Sequence, residues 1–216
     1  MMQVFNYLAI ILNIVLIILE LKMFIGVKNK SYIFKYYTFL QNFIALITSV
    51  IFVFFETLYI FNGNNITPWL KGMRYTATCG LAATMFVFAF ILAPRYKSGK
   101  SSNHEDLFGG LNPKTANLIL HFICPLISII SFILFERQIS IGSEWTSYAA
   151  YPSIIYWSIY ILLTITHLWK EPYGLTNNDK NKKTTIGQKI KGILLLMLIP
   201  IVFIGLEYLL WWLNTV

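Results

Sequence analysis

Six apolar runs of about twenty residues each, separated by short polar segments, restrict the fold of this sequence more than any other feature. A helix needs about 20 mostly apolar residues to cross a bilayer, because backbone groups there can bond only to one another. The runs cover roughly residues 4–21, 36–61, 69–93, 115–135, 148–168 and 192–213. They predict an all-α fold: one integral membrane domain, residues 1–216, that forms a polytopic bundle of six transmembrane helices.

The composition supports this class and excludes others. Hydrophobic residues make up 57% of the chain and charged residues only 12%, whereas soluble domains carry about 25% charged residues. A soluble globular enzyme and a disordered chain are therefore excluded. The net charge of +8 does not predict nucleic-acid binding, since the basic residues lie between apolar runs. Cys79 and Cys124 lie inside such runs without metal-ligand spacing, so no metal site is expected.

The distribution of Lys and Arg predicts the orientation of the chain. The second and fourth connections, with the adjoining ends of the runs, hold only Lys71, Arg74 and Arg137, and the first, third and fifth hold the other 14 of the 17 basic residues. Basic residues are enriched in cytoplasmic loops. The first, third and fifth connections are therefore expected in the cytoplasm, with both termini on the non-cytoplasmic side.

Polar residues at membrane depth recur at helical spacing in three runs. Small and hydroxylated residues at such spacing usually pack membrane helices, whereas buried Asn and His are costly and point more strongly to function. In the second run, Thr38, Asn42, Ser49 and Glu56 share one helical face. Similar stripes comprise Asn117, His121, Cys124, Ser128 and Ser131 in the fourth run, and Ser153, Trp157, Tyr160, Thr164 and His167 in the fifth.

A hydroxyl and an imidazole fall at similar depth near the cytoplasmic surface. Thr38 follows Lys35 by three residues and His121 follows Lys114 by seven. At 1.5 Å per residue, they lie about 5 and 10 Å beyond these basic residues. His167 ends the fifth run on the same side. The depth argument selects Thr38 and His121 as a candidate pair.

Such a pair has the chemistry of nucleophilic catalysis. A neutral imidazole can take the proton from a hydroxyl nucleophile, so Thr38 and His121 are the candidate catalytic residues. Asn42 and Asn117 each lie about one turn from one of them and are candidates to orient the pair or to donate to an oxyanion. With His167, they form the predicted substrate-binding or orienting set.

Charged residues form a second group near the opposite surface. Glu56 ends the second run, Arg74 begins the third, and Glu207 lies late in the sixth. Opposite charges at matching depth predict a structural ion cluster that neutralises Arg74, with proton or ion coupling as the alternative. Two further pairs are expected in the solvated interface: Glu20 with Lys22, and Glu136 with Arg137.

Several of these segments resemble one family. KYYTFLQN (35–42) resembles the (Y/F)FTxxSN segment of the androgen-induced-protein family of membrane threonine hydrolases and its bacterial relatives. NLILHFICPLISIISFILFE (117–136) is similar to that family's L-H-x-x-x-P span, and AAYPSIIYW (149–157) to its Tyr-Pro segment. EPYGL (171–175) resembles a shortened Pro-Tyr segment, and RYTATCGLAATMFVFAFILAP (74–94) resembles uncharacterised bacterial members. Gln41 departs from the pattern, which has Ser there.

The resemblance implies an activity. Members of the family use a Thr nucleophile and a His to hydrolyse fatty acid esters of hydroxy fatty acids without a cofactor, and the matching positions here are Thr38 and His121. The expected partners are membrane lipids and an amphipathic acyl-ester substrate. Richness in Lys, Asn and Ile points to an AT-rich genome and a bacterial plasma membrane.

Two other functions remain open from the sequence. One is a non-catalytic membrane protein that binds lipid or a protein partner, in which the polar stripes only pack helices. The other is a small transporter with Glu56, Arg74 and Glu207 as a charged gate, although no repeated half and no pair of broken spans supports it.

Overall fold

The computed structural model describes residues 2–28, 35–63, 67–93, 112–137, 141–166, 168 and 186–216. Over these ranges the chain is helical, and six helices follow the six apolar runs. They are α1 (Met2–Gly26), α2 (Tyr37–Asn62), α3 (Pro68–Val87, continued by the π-helical stretch Phe88–Leu92), α4 (Pro113–Leu118 to Ser131–Phe135), α5 (Glu144–Ile165) and α6 (Ile186–Thr215). The predicted all-α polytopic bundle is confirmed.

The apolar side chains that face outward identify the bundle as an integral membrane protein. Five helices are long and apolar enough to cross a membrane within the described residues, namely all except α5. Ile18 on α1, Phe54 on α2 and Ile201 on α6 are each more than half exposed. In water such a surface would be unstable, whereas lipid chains solvate it. α5 has 22 residues, a length sufficient to span the hydrocarbon core.

The central helix of the bundle is α3, which packs against α2, α4, α5 and α6. Small residues let these neighbours approach it closely. A Cβ added at Gly72 would overlap the indole ring of Trp145 on α5, and one at Gly80 would overlap the amide of Gln41 on α2. The remaining helix, α1, packs on α2 and α4.

Helix α4 departs from regular α-helical geometry in two places. It contains the π-helical stretches Ile119–Ile123 and Ser131–Phe135. Pro125 gives one physical reason, because it has no N–H for the carbonyl of His121 four residues earlier. π-Helical stretches are rare and occur frequently at functional sites. The first of them contains His121, and the second ends immediately before Glu136.

These wide turns keep one line of residues on the buried face of α4. Successive steps of four residues advance about 40° beyond a full turn in a regular α-helix, so five steps would turn the line by about 200°. The wider π-helical turns offset that rotation, and every residue of the line is buried: Ala116, Leu120, Cys124, Ser128, Phe132 and Glu136.

Two of the three basic residues assigned to the non-cytoplasmic side are not at the membrane surface. Lys71 and Arg74 are fully buried in the bundle, and Arg137 is exposed. The charges that determine orientation are those in loops. The excess of basic residues on the predicted cytoplasmic side over the opposite side therefore becomes larger. The orientation stays a prediction.

Cysteine labelling in cells tests that orientation. In a background with Cys79 and Cys124 replaced by Ala, Ser143→Cys places a thiol just before α5, where Ser143 is exposed, and Ser102→Cys places one in the third connection. A membrane-impermeant maleimide should label the first variant in intact cells and the second only in lysed cells. The reverse pattern would show that both termini are cytoplasmic.

A second experiment tests the close approach of α3 and α5. Gly72→Ala should lower stability by about 1–3 kcal/mol, because overpacking forces the Trp145 ring to move. Gly205→Ala on α6 is the matched control, since its added Cβ would contact no atom within 4 Å. The control should be neutral or stabilising by up to about 1 kcal/mol. Thermal unfolding in detergent measures both, and equal effects would contradict the close packing.

Candidate functional site

The first turns of α2 are held against α4 by one amide side chain. Asn42 is fully buried, and its Nδ2 donates to the Thr38 carbonyl at 2.8 Å and to the Leu120 carbonyl at 3.4 Å. The first bond lies within α2, and the second crosses to the residue that precedes His121. Asn42 therefore fixes the turn that carries Thr38 against the turn that carries His121.

The neighbouring residue fixes the same turn of α2 to the other side of the bundle. Tyr37 shares a 2.6 Å hydrogen bond with the Ser153 hydroxyl on α5. Its ring also stacks on Phe203 of α6, with the centroids 5.5 Å apart. The residue before Thr38 is thus anchored to α5 and α6, while Asn42 anchors the next turn to α4. Thr38 lies between these two anchors.

The orientation of His121 is set by an aromatic partner. Its imidazole stacks on the ring of Phe88 at a centroid distance of 4.2 Å and an interplanar angle of 16°. Phe88 begins the π-helical stretch of α3, so both stacked residues lie in π-helical turns. His121 is 7% exposed and Thr38 is 8% exposed. Among the described residues, the Thr38 hydroxyl and the imidazole are not hydrogen-bonded to each other.

The two remaining members of the predicted orienting set have different outcomes. Asn117 lies one turn before His121 in α4 and is half-buried. His167 lies outside the described residues. The structure thus brings the turns of Thr38, Asn42 and His121 together at the ends of α2 and α4 that the sequence predicts to be cytoplasmic.

A second polar cluster surrounds Arg74 on the central helix. The guanidinium is fully buried and donates to Ser49 of α2 at 3.3 Å, to Ser128 of α4 at 3.3 Å and to Glu136 at 3.2 Å. It also lies over the ring of Phe52, 5.6 Å from the centroid. The Arg74–Glu136 contact is an ion pair between two side chains without solvent exposure.

Three donors converge on a single oxygen of Glu136. Besides Arg74, the Ser131 hydroxyl donates to Oε1 at 2.7 Å and the Asn13 amide donates at 3.3 Å. Asn13 also donates to the Ser131 hydroxyl at 3.1 Å and to the Ala9 carbonyl at 2.9 Å, so its two amide hydrogens are shared among three acceptors. The carboxylate therefore joins α1, α3 and α4 in the interior of the bundle. Charge-assisted bonds of this kind are about twice as strong as neutral ones.

This arrangement corrects the prediction that Glu136 and Arg137 lie together in the solvated interface. Glu136 is 5% exposed and faces the bundle, whereas Arg137 is exposed and donates to the Leu213 carbonyl at 3.0 Å. The π-helical stretch before Glu136 turns it inward. A buried guanidinium without a counter-ion costs several kcal/mol, and Glu136 supplies that counter-ion.

The predicted trio of Glu56, Arg74 and Glu207 is arranged differently from expectation. Among the described residues, Arg74 forms its ion pair with neither of those glutamates. Glu56 is buried and close enough to Glu136 for their charges to interact. Glu207 is buried elsewhere, where its backbone carbonyl accepts a 2.6 Å hydrogen bond from Tyr75. Because Tyr75 and Arg74 project about 100° apart on α3, Glu207 faces a different side of that helix.

Helix α1 has a buried polar face that was not predicted. Glu20 was expected with Lys22 in the interface, but Glu20 is fully buried while Lys22 is exposed. Asn6, Asn13 and Glu20 are spaced by seven residues and therefore share one face of the helix. That spacing was a signal in the sequence, and it would have placed Asn13 and Glu20 in the bundle.

Comparison with known proteins adds no assignment, because no family model, no curated protein and no solved structure matches the chain. Within the described residues, no three His, Cys, Asp or Glu side chains are grouped as a metal ion would require. The site must therefore be interpreted from its own geometry.

Removing the counter-ion of Arg74 tests the cluster. Glu136→Leu should lower the free energy of unfolding by about 3 kcal/mol or more, because it leaves a buried guanidinium unpaired and removes the acceptor of two further donors. Arg137→Gln, one residue away and exposed, should cost less than about 1 kcal/mol. Unfolding in detergent followed by circular dichroism measures the two values, and similar losses would contradict the assigned pairing.

Proposed function

We propose that this integral membrane protein is a lipid-ester hydrolase in which Thr38 is the nucleophile and His121 the general base. The bond from Asn42 to the Leu120 carbonyl carries the proposal, because it joins the turns that bear these two residues. The resemblance of the segments around Thr38 and His121 to membrane threonine hydrolases supports the same pair. The π-helical geometry at His121 is a further support, since such turns are frequent at functional sites.

In the proposed reaction, the imidazole of His121 takes the proton of the Thr38 hydroxyl as the oxygen attacks the acyl carbonyl. The ester bond then breaks, and the imidazolium gives its proton to the departing alcohol. Water hydrolyses the acyl-threonine, with His121 again acting as base. Both residues are slightly exposed, 8% and 7%, and approach of water requires such access. Catalytic hydrogen bonds are often long before substrate binds, so the two groups need not be bonded in the free protein.

The surrounding residues have different roles in this mechanism. Asn42 is a positioning residue, because Nδ2 has two hydrogens and both point to backbone carbonyls. Asn42 therefore has no donor left for an oxyanion. Asn117, half-buried one turn from His121, is the better candidate for that task. Phe88 fixes the plane of the imidazole by stacking on it.

The position of the site favours an amphipathic substrate. Thr38 lies at the beginning of α2, with apolar helices on one side and the predicted cytoplasmic surface on the other. An acyl chain can remain among lipid-facing side chains while its ester reaches water. Fatty acid esters of hydroxy fatty acids have this form, and a bacterial plasma membrane is the proposed location. No cofactor takes part in the mechanism.

Labelling by a fluorophosphonate probe tests the proposal. Thr38→Ala should abolish labelling, because it removes the attacked hydroxyl, and His121→Ala should abolish it because the hydroxyl is no longer activated. The matched controls are Thr48→Ala and His104→Ala. Thr48 is buried on the same helix with its hydroxyl bonded to the Ile44 and Ala45 carbonyls, and His104 lies in the third connection.

The controls should keep wild-type labelling, and all four variants should accumulate to similar levels in the membrane. Hydrolysis of a fluorogenic acyl ester by the purified protein provides a second measurement with the same expected ranking. Labelling that survives both Thr38→Ala and His121→Ala would reject the pair. A wild-type protein that neither reacts with the probe nor hydrolyses the ester would instead be the non-catalytic lipid- or partner-binding protein.

A further inference from the structure

Glu20 lies in the interior of the bundle without a hydrogen-bonding partner among the described residues. It is fully buried on α1, and neither of its carboxylate oxygens accepts a hydrogen bond there. Its charged neighbour is Arg74, close enough for the two charges to interact. The mechanism proposed above does not use Glu20. A carboxyl group kept at this position is expensive and points to a function.

The charges around Arg74 do not balance if every group is ionised. The buried charged groups of the cluster are the carboxylates of Glu20, Glu56 and Glu136 and the cations of Lys71 and Arg74, which lie within range of one another's charges. Arg137 also interacts with Lys71 but is exposed, so solvent screens its charge. Three negative and two positive charges leave an excess of one negative charge. An uncompensated charge in an apolar interior is very unfavourable, and the group usually neutralises instead. A single bound proton removes the imbalance.

Hydrogen bonding indicates which carboxyl holds that proton. Glu136 accepts three bonds at Oε1, all from donors that favour its charged form. Among the described residues neither Glu56 nor Glu20 accepts a hydrogen bond, but both carboxylate oxygens of Glu20 are buried without a partner, against one of Glu56. Its titratable and charged surroundings are Arg74 on α3 and the Cys124 thiol on α4. From α2, which also packs on α1, Glu56 is the only acidic residue.

We propose that Glu20 is a proton-binding site in the membrane interior, with the Arg74–Glu136 pair as its charged neighbour. A Glu20 carboxylate oxygen forms an O–H bond with a proton delivered by water and becomes neutral, and release reverses the step. A metal ion is not the proposed ligand, because in the described part of the chain Glu20 is not grouped with the further His, Cys, Asp or Glu side chains that a metal site requires. When the proton leaves, Glu20 becomes a second anion that competes with Glu136 for Arg74. Proton release on α1 is thereby linked to the contact between α3 and α4.

Infrared spectroscopy of the purified full-length protein in detergent tests the site. At neutral pH the wild type should show the C=O absorption of a protonated carboxyl group, and transfer to D₂O should shift it because the proton exchanges. Glu20→Gln should remove the component that Glu20 contributes and leave the component of Glu207, which is buried elsewhere without an ion pair among the described residues. Glu144→Gln is the matched control, since Glu144 is an exposed carboxylate at the start of α5. It should leave the absorption unchanged.

Three outcomes would overturn the proposal. The wild type could lack the protonated-carboxyl absorption, the absorption could fail to shift in D₂O, or it could be unchanged in Glu20→Gln. If Glu20→Gln does not fold, Glu20→Asp replaces it, because Asp keeps the carboxyl group on a side chain that is one methylene shorter. The frequency of the C=O absorption should then change, and an absorption identical to that of the wild type would assign the proton to another residue. Ester hydrolysis is not part of this test, so its outcome is independent of the Thr38–His121 mechanism.

Discussion

The burial of one guanidinium in the central helix is the constraint on which the arrangement of this bundle depends. Arg74 has no access to solvent, so its terminal amino groups bond to other helices, and α2 and α4 supply Ser49, Ser128 and Glu136. Glu136 in turn binds Asn13 of α1. Four helices are thereby held in one register by polar contacts. In lipid, where apolar burial does not drive helix association, such contacts and close packing determine which faces meet.

Much of this fold was predictable because hydropathy alone locates membrane helices. The six runs correspond to six helices, although α1 extends beyond the predicted residue 21 to Gly26. What hydropathy cannot locate is the rotation of each helix after an irregular turn. On regular geometry Glu136 lies about 200° round α4 from Ala116, which favours the solvated interface. The π-helical turns offset that rotation, and only coordinates reveal them. Glu20 is a different case, since the seven-residue spacing on α1 was visible.

The candidate catalytic pair was predictable in part. Depth counted from Lys35 and Lys114 placed Thr38 and His121 at similar levels, and the helices that carry them do meet. The contact that joins the turns could not be inferred, because its acceptor is the backbone carbonyl of Leu120, which no side-chain pattern identifies. The role of Asn42 likewise follows from the direction of its two N–H bonds. Two functions, ester chemistry and proton binding, are thus proposed for one polar interior.

The irregular turns of α4 also affect how related sequences should be compared. A π-helical turn accommodates one residue more than an α-helical turn, so loss of one residue between 119 and 123 would restore a regular helix without breaking it. The missing residue and the lost wide turn each change the rotation by about 100° in opposite senses, so everything beyond that point would keep its orientation. Ser128 and Glu136 would still face Arg74. In homologues, a one-residue gap at this place would therefore mark a regular α4 with the same polar interior, whereas a gap at an α-helical position of α4 would turn these residues away from Arg74.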